Sequence, residues 1–293
     1  MKFNGGKNMK ITKIANIAGG QDGAVHGGFL FRFDEKSKCH VYETKKLLCA
    51  EGNKVDETSS FDLDKVDILM PHNNAVMFGN YFSPDDEFPL LYTNLYNSYA
   101  KCDDKMKGTC AVYRLTRNGN NFNTKLVQII EIGFTEDTSL WASTCGDVRP
   151  YGNFVLDPKN NVYYGFTMRD GEKKSRYFAF DLPKVTDGKF DEKFGVNRVV
   201  LEKEDIKEYF DCDYHRYIQG AIYHEGNIYS LEGFTNDATN VPAMRIIDTA
   251  KKIQKELVLF GDYGMTIEPE FIDFCDGICY YSDNFGNLYT IEF

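Results

Sequence analysis

Apolar and polar positions alternate in short runs along most of the chain, and the runs are broken by Gly, Asn or Asp. A period of two marks half-buried strands, and the breaks mark turns. Five segments share one form: Gln21-DGAVHGGFLFRF, His72-NNAVMFGNYF, Tyr151-GNFVLDPKNNVYYGF, Ile218-QGAIYHEGNIYSLEGF and Glu268-PEFIDFCDGICYYSD. Each has a polar or glycine lead-in, a short apolar strand, a turn and usually a second aromatic-rich strand. Anchored on Gly23, Asn74, Asn153, Gly220 and Glu270, the spacings are 51, 79, 67 and 50 residues. The period is therefore about 50 residues, with insertions in the second and third units.

A third alternating strand follows in every unit, at Cys39-HVYET, Cys110-AVYRLT, Arg176-YFAFDL, Ala243-MRIIDT and Asn287-LYTIEF. A fourth is expected at Lys45-KLLCA, Lys125-LVQIIEIGF, near Asn197-RVVL, and at Lys251-KIQKELVLF, while Glu202 to Phe210 reads as one short surface helix. The fifth unit has no fourth strand of its own. Lys10-ITKIANI alternates and has no unit, so residues 10–17 are expected to complete the last blade and close a ring. Four-stranded units stacked face to face describe an all-β protein, a β-propeller of five four-stranded blades forming one domain over 1–293, with units starting near 21, 72, 151, 218 and 268 and a flexible stretch at 1–9. A sixth blade fits only if the 52–70 or 184–215 segment hides a degenerate unit. A β-sandwich is the competing architecture, although sandwiches do not usually repeat one motif five times.

Composition narrows the function. The 293 residues carry 34 Lys+Arg against 44 Asp+Glu, a formal charge of −10, with no basic cluster longer than a pair, which argues against nucleic acid. No apolar run approaches the roughly 18–20 residues that cross a bilayer, so no membrane partner is expected. The first eight residues have no signal-peptide pattern, and the eight cysteines include no CxxC, which points to a reduced, cytoplasmic setting. Cys275 and Cys279 flank an Asp276-Gly277 turn; a disulfide there competes with two thiols packed as small apolar groups.

The repeat, sharpest in Gln219-GAIYHEGNIYSLEGF and Glu268-PEFIDFCDGICYYS, resembles the small stand-alone propellers of bacterial and phage origin, including the teichoic-acid-associated and receptor-binding types. That resemblance implies a glycan-facing role. The blade number is also similar to that of arabinanase-type glycosidases, which carry catalytic carboxylates on the inner strands of three blades. Here the third unit presents Asn153 in place of an acid.

In a propeller the first strand of each blade lines the axis, so the lead-ins converge: Gln21 and Asp22; His72, Asn73 and Asn74; Tyr151 and Asn153; Gln219; Glu268 and Glu270. Such polar residues often only bind water and satisfy backbone groups. Against that stand three acids and a histidine, where like charges raise carboxyl pKa values and hold a histidine charged, as a general acid and base require. Asp22, Glu268 and Glu270 are thus catalytic candidates for a glycoside hydrolase or lyase. Asp22, His72, Asn74 and Glu268 also offer mixed ligands to a divalent metal such as calcium. Trp141, Arg149, Arg216 and Tyr217 lie in the loops at the mouth, where guanidinium forks and aromatic faces suit anionic or polyhydroxylated ligands. The expected ligand is a small polar molecule or a glycan. The aromatic 80–109 insertion leaves room for a protein partner instead.

Overall fold

The computed structural model describes residues 9–82, 85–95, 106, 108–134, 153–167, 175–213 and 217–293. After β1 (Lys10–Asn16), the first blade is β2 (Gly23–His26), β3 (Phe29–Phe33), β4 (Lys38–Glu43) and β5 (Ser59–Asp62). The second is β6 (Val76–Phe78), β7 (Leu91–Asn94), β8 (Thr109–Asn118) and β9 (Asn121–Ile132). The third uses β10 (Phe154–Asp157), β11 (Val162–Thr167) and β12 (Ser175–Asp181); the chain then forms β13 (Lys189–Asp191) and β14 (Val196–Leu201) before supplying the third blade's outer strand, β15 (Glu208–Cys212). The fourth is β16 (Ile218–His224), β17 (Asn227–Glu232), β18 (Ala243–Asp248) and β19 (Ile253–Leu259). The fifth is β20 (Pro269–Cys275), β21 (Ile278–Asp283) and β22 (Asn287–Glu292), closed by β1 in antiparallel register from Lys10↔Glu292 to Asn16↔Asn287. The molecule is a five-bladed β-propeller whose last blade joins both ends of the described chain. Closure of this kind covers the outer edge of β22 and ties the two ends of the described chain into one sheet.

Three expectations about the outer strands fail. Residues 44–48 form α1 (Thr44–Leu48), not a strand. They follow β4 with no turn to reverse the chain, so they cannot lie antiparallel beside it; Leu47 is buried instead, and β5 takes the outer place. The 197–201 stretch leaves its own unit. It pairs in parallel with β9, from Asn197↔Gln128 to Leu201↔Ile132, and so widens the second blade to six strands with β13. The long β8–β9 hairpin offers a free edge there, and the Arg198 guanidinium pairs with Glu131 and Asp191. Residues 202–210 are not one helix: a 3-10 turn spans Lys203–Asp205, and β15 follows with alternate burial at Phe210 and Cys212. These departures add no sixth blade.

The cores lie between blades. Phe31 meets Phe78, Phe88 and Phe122 edge-on at 5.5, 5.6 and 5.5 Å between the first and second blades. Each such buried ring contributes about 1.5–3 kcal/mol. Side chains also pin one inner strand to the next. Asp273 accepts the Val25 amide at 2.7 Å, Asp22 accepts that of Val76 at 2.8 Å, and Met77 Sδ accepts that of Leu156 at 3.0 Å. Of the aromatic 80–109 insertion, Phe88, Leu90, Leu91 and Tyr92 are buried in the blade, and Tyr81 and Phe82 are exposed. Tyr96 lies outside the described residues. Cys275 and Cys279 are free thiols, and their strand register pairs them with Ile278 and Phe274 instead of with each other.

Candidate functional site

The lead-ins of the five inner strands open on one cavity of about 580 Å3 at one end of the axis. An antiparallel blade also brings the end of its second strand to that face, so the cavity receives two sets of residues. From the lead-ins come Gln21, His72, Asn74, Asn153, Gln219, Glu268 and Glu270, with Tyr217 beside them. From the second-strand ends come Asp34 with Glu35 and Lys36, Phe234, and Asn284. The close approach of inner strands requires glycine at one point. A Cβ on Gly220 would sit 2.4 Å from the Glu270 carbonyl oxygen and 3.0 Å from Asp22 Oδ1.

One wall is built of amides. Asn94, fully buried at the end of β7, accepts the Ala75 amide on Oδ1 at 3.2 Å, which fixes the sense of its carboxamide. Its two Nδ2 hydrogens then go to Asn74 Oδ1 and, at 2.9 Å, to Asn153 Oδ1. With their oxygens engaged, Asn74 and Asn153 present Nδ2 donors to the cavity. Asn73 takes no part. It is fully buried, donates to Ser37 Oγ at 2.9 Å and accepts from Thr93 Oγ1 at 2.6 Å.

The facing wall is acidic. Glu268 accepts from Gln219 Nε2 on Oε1 at 2.6 Å and from Asn284 Nδ2 on Oε2 at 3.0 Å. Burial raises its pKa and the Asn284 donor opposes that rise. Glu270 is 2% exposed, and its Oε2 has no hydrogen-bond partner. Burial first, and then the Glu268 charge, raise its pKa well above the carboxylate range. The two acids therefore differ: Glu268, half-buried and held by two amides, keeps its charge more readily, and Glu270 holds its proton to higher pH. Beneath lies Arg32, fully buried, donating to the Gly20 and Asp283 carbonyls at 2.7 and 3.1 Å.

The other expected site residues are placed as follows. Asp22 is fully buried, does not line the cavity, and pins Val76; burial raises its pKa well above normal. His72 lines the cavity, but burial lowers its pKa to about 4, so it is neutral at physiological pH and not held charged. Tyr217 has a left-handed backbone, φ 55°, and its ring lies 4.1 Å from that of Phe234. Trp141, Arg149, Tyr151 and Arg216 lie outside the described residues. Among the described residues, no group of three or more His, Cys, Asp or Glu side chains could hold a metal ion. No helix there is long and apolar enough to cross a membrane.

Sequence reasoning missed Asn94, Phe234, Asn284 and the 34–36 turn. A usable signal existed, since each follows or ends the second strand of its unit, and a repeat that locates first-strand starts locates second-strand ends as well.

The fold defines the class, a five-bladed β-propeller with a polar axial cavity. No protein-family profile matches the chain, and no curated protein sequence matches it. Many solved structures are similar to it at low identity. The glutaminyl cyclase of Myxococcus xanthus is 9% identical with a TM-score of 0.47, over 97% of this chain and 94% of its own. BamB from Moraxella catarrhalis is 8% identical with a TM-score of 0.34, over 94% of this chain and 60% of its own. The Dos1 propeller is 10% identical with a TM-score of 0.36, over 92% of this chain and 57% of its own. The chain thus spans about 60% of the BamB and Dos1 chains.

Proposed function

We propose that the protein binds a small polyhydroxylated ligand, a sugar or short glycan, in the axial cavity. The observation that carries this reading is the convergence of oriented polar side chains from all five blades on one cavity of about 580 Å3, a size suited to a small ligand. Hydroxyl groups both donate and accept, and the cavity offers both functions: Nδ2 donors at Asn74 and Asn153, acceptors at Gln219, Glu268 and Glu270. The Phe234 ring, backed by Tyr217, supplies an apolar face for the C–H side of a sugar.

Binding fits better than hydrolysis. Glycosidases place two carboxyl groups on opposite sides of the scissile bond. Here Glu268 and Glu270 reach the cavity from one lead-in, two residues apart, and Asp22 is buried in a backbone contact.

Titration calorimetry with a panel of mono- and oligosaccharides tests the reading. Micromolar to millimolar binding of at least one sugar is expected, weakened tenfold or more by Glu268→Gln with an unchanged melting temperature. Absence of binding across the panel overturns it.

A further inference from the structure

Among the described residues the charges around the cavity are unbalanced. Glu270 is faced by Glu268 from its own lead-in, by Asp283 and Tyr281 of β21, by Asp22 before β2, and by one described cation, Arg32 of β3. Asp283 is spent on a turn, accepting the Phe285 and Asn287 amides at 3.0 Å each and Asn287 Nδ2 at 2.8 Å. Asp22 accepts the Val76 amide on Oδ2, and its Oδ1, buried off the cavity, has no hydrogen-bond partner. Arg32 directs Nη2 to two carbonyls, its Nε and Nη1 have no hydrogen-bond partner, and no ion pair joins it to Glu270 among the described residues. At the rim, Asp34 and Glu35 outnumber Lys36. Among the described residues that line the cavity, Glu270 is the carboxylate with a buried oxygen, Oε2, that has no hydrogen-bond partner. A buried, unpartnered acceptor beside a second carboxylate matches a cationic donor with several hydrogens.

We propose that the ligand carries a primary ammonium group, as on an amino sugar with a free amine, seated between Glu270 Oε2 and Glu268, with its hydroxyl or carbonyl oxygens turned to Asn74 and Asn153. This rests on the sugar-binding reading above and names the chemistry of its ligand. An ammonium supplies three donors, so it can serve both carboxyl groups at once. An acetylated amine supplies one donor and no charge, and its acyl group needs room against the carboxyl wall. Seating the cation favours ionised Glu270. Burial raises that carboxyl's pKa in the free protein, so seating the cation is coupled to proton release and tightens as pH rises, until the ligand's own amine loses its charge.

The test compares oligomers of glucosamine, N-acetylglucosamine and glucose, matched in length, by calorimetry at pH 5.5 and 7.0 in two buffers of different ionisation enthalpy. The glucosamine oligomer is expected to bind at least tenfold tighter at pH 7.0, with proton release, and to weaken at pH 5.5. Glu270→Gln, which keeps the shape of the protonated acid, should abolish both the preference and the pH dependence, so that the glucosamine oligomer binds no tighter than the neutral ones. Equal binding of all three, or preference for the acetylated or neutral oligomer, overturns the ammonium assignment and leaves the sugar site standing. Binding of none overturns the sugar site. A preference that survives Glu270→Gln in a folded variant overturns the role of Glu270.

Discussion

The two walls of the axial cavity are built on opposite principles. On the side of the second and third blades, Asn94 satisfies one backbone amide and two side-chain oxygens, so the wall is neutral and its donors have one orientation. On the side of the fourth and fifth blades, two carboxyl groups share one lead-in, and one keeps an unpartnered oxygen although it is buried. A satisfied neutral network adds rigidity, whereas an unsatisfied acid lowers stability and leaves free energy for a ligand to recover. The amide wall should therefore respond to mutation mainly through stability, and the carboxyl wall mainly through pH and ligand.

The comparison breaks most severely at Asn94. Asn94→Ala strands the Ala75 amide and the two partner amides in a dry site, and a loss of about 2–4 kcal/mol is expected in urea unfolding. A loss below about 1 kcal/mol would mean that the wall is not held by this residue.

Gly220→Ala comes next. Its Cβ would meet the Glu270 carbonyl at 2.4 Å, backbone against backbone, so the carboxyl wall must shift. We expect a loss of about 1–3 kcal/mol by thermal or urea melting, typical of overpacking.

The pH dependence of stability sharpens the contrast. Asp22, Glu270 and Asp273 all have folded-state pKa values raised by burial, that of Asp273 to about 7. The folded state then keeps protons that the unfolded chain has already lost. Each group leaves stability undiminished below its unfolded pKa, near 4, and subtracts from it as pH rises toward the folded value. The protein should therefore unfold more easily at pH 7 than at pH 5 in urea. Glu270→Gln should flatten that slope by up to about 1.4 kcal/mol per pH unit. An unchanged slope would show that Glu270 ionises as freely folded as unfolded.

The smallest effect is expected at Asn153. Asn153→Ala removes one donor at the edge of the amide wall, for about 1 kcal/mol or less of stability, and weakens sugar binding several-fold in calorimetry. A stability loss as large as that of Asn94→Ala would put the two residues on an equal footing.

Much of this was legible in sequence because it depends on period. The five strand starts, the third strands and the closure by residues 10–16 all follow from alternation and spacing, which a strand's two faces impose locally. The outer strands were less legible. Residues 44–48 and 196–201 both carry strand-compatible apolar residues, and their fates were set by whether the chain could turn back and by which sheet edge was free.

The sequence by itself determined that polar lead-ins from five units meet at one axis, since repetition and ring closure leave them no other place. Only the tertiary structure decided what each does there. Asp22 and Glu270 are both acids at inner-strand lead-ins and each has one buried oxygen without a partner, yet Asp22 accepts the Val76 amide 54 residues away and lies off the cavity, whereas Glu270 lines it. Asn74 and Asn153 became donors because Asn94, from a neighbouring strand, occupies their oxygens. Hydrogen-bond direction and desolvation depend on neighbours brought together across blades, and no local pattern in the chain encodes them.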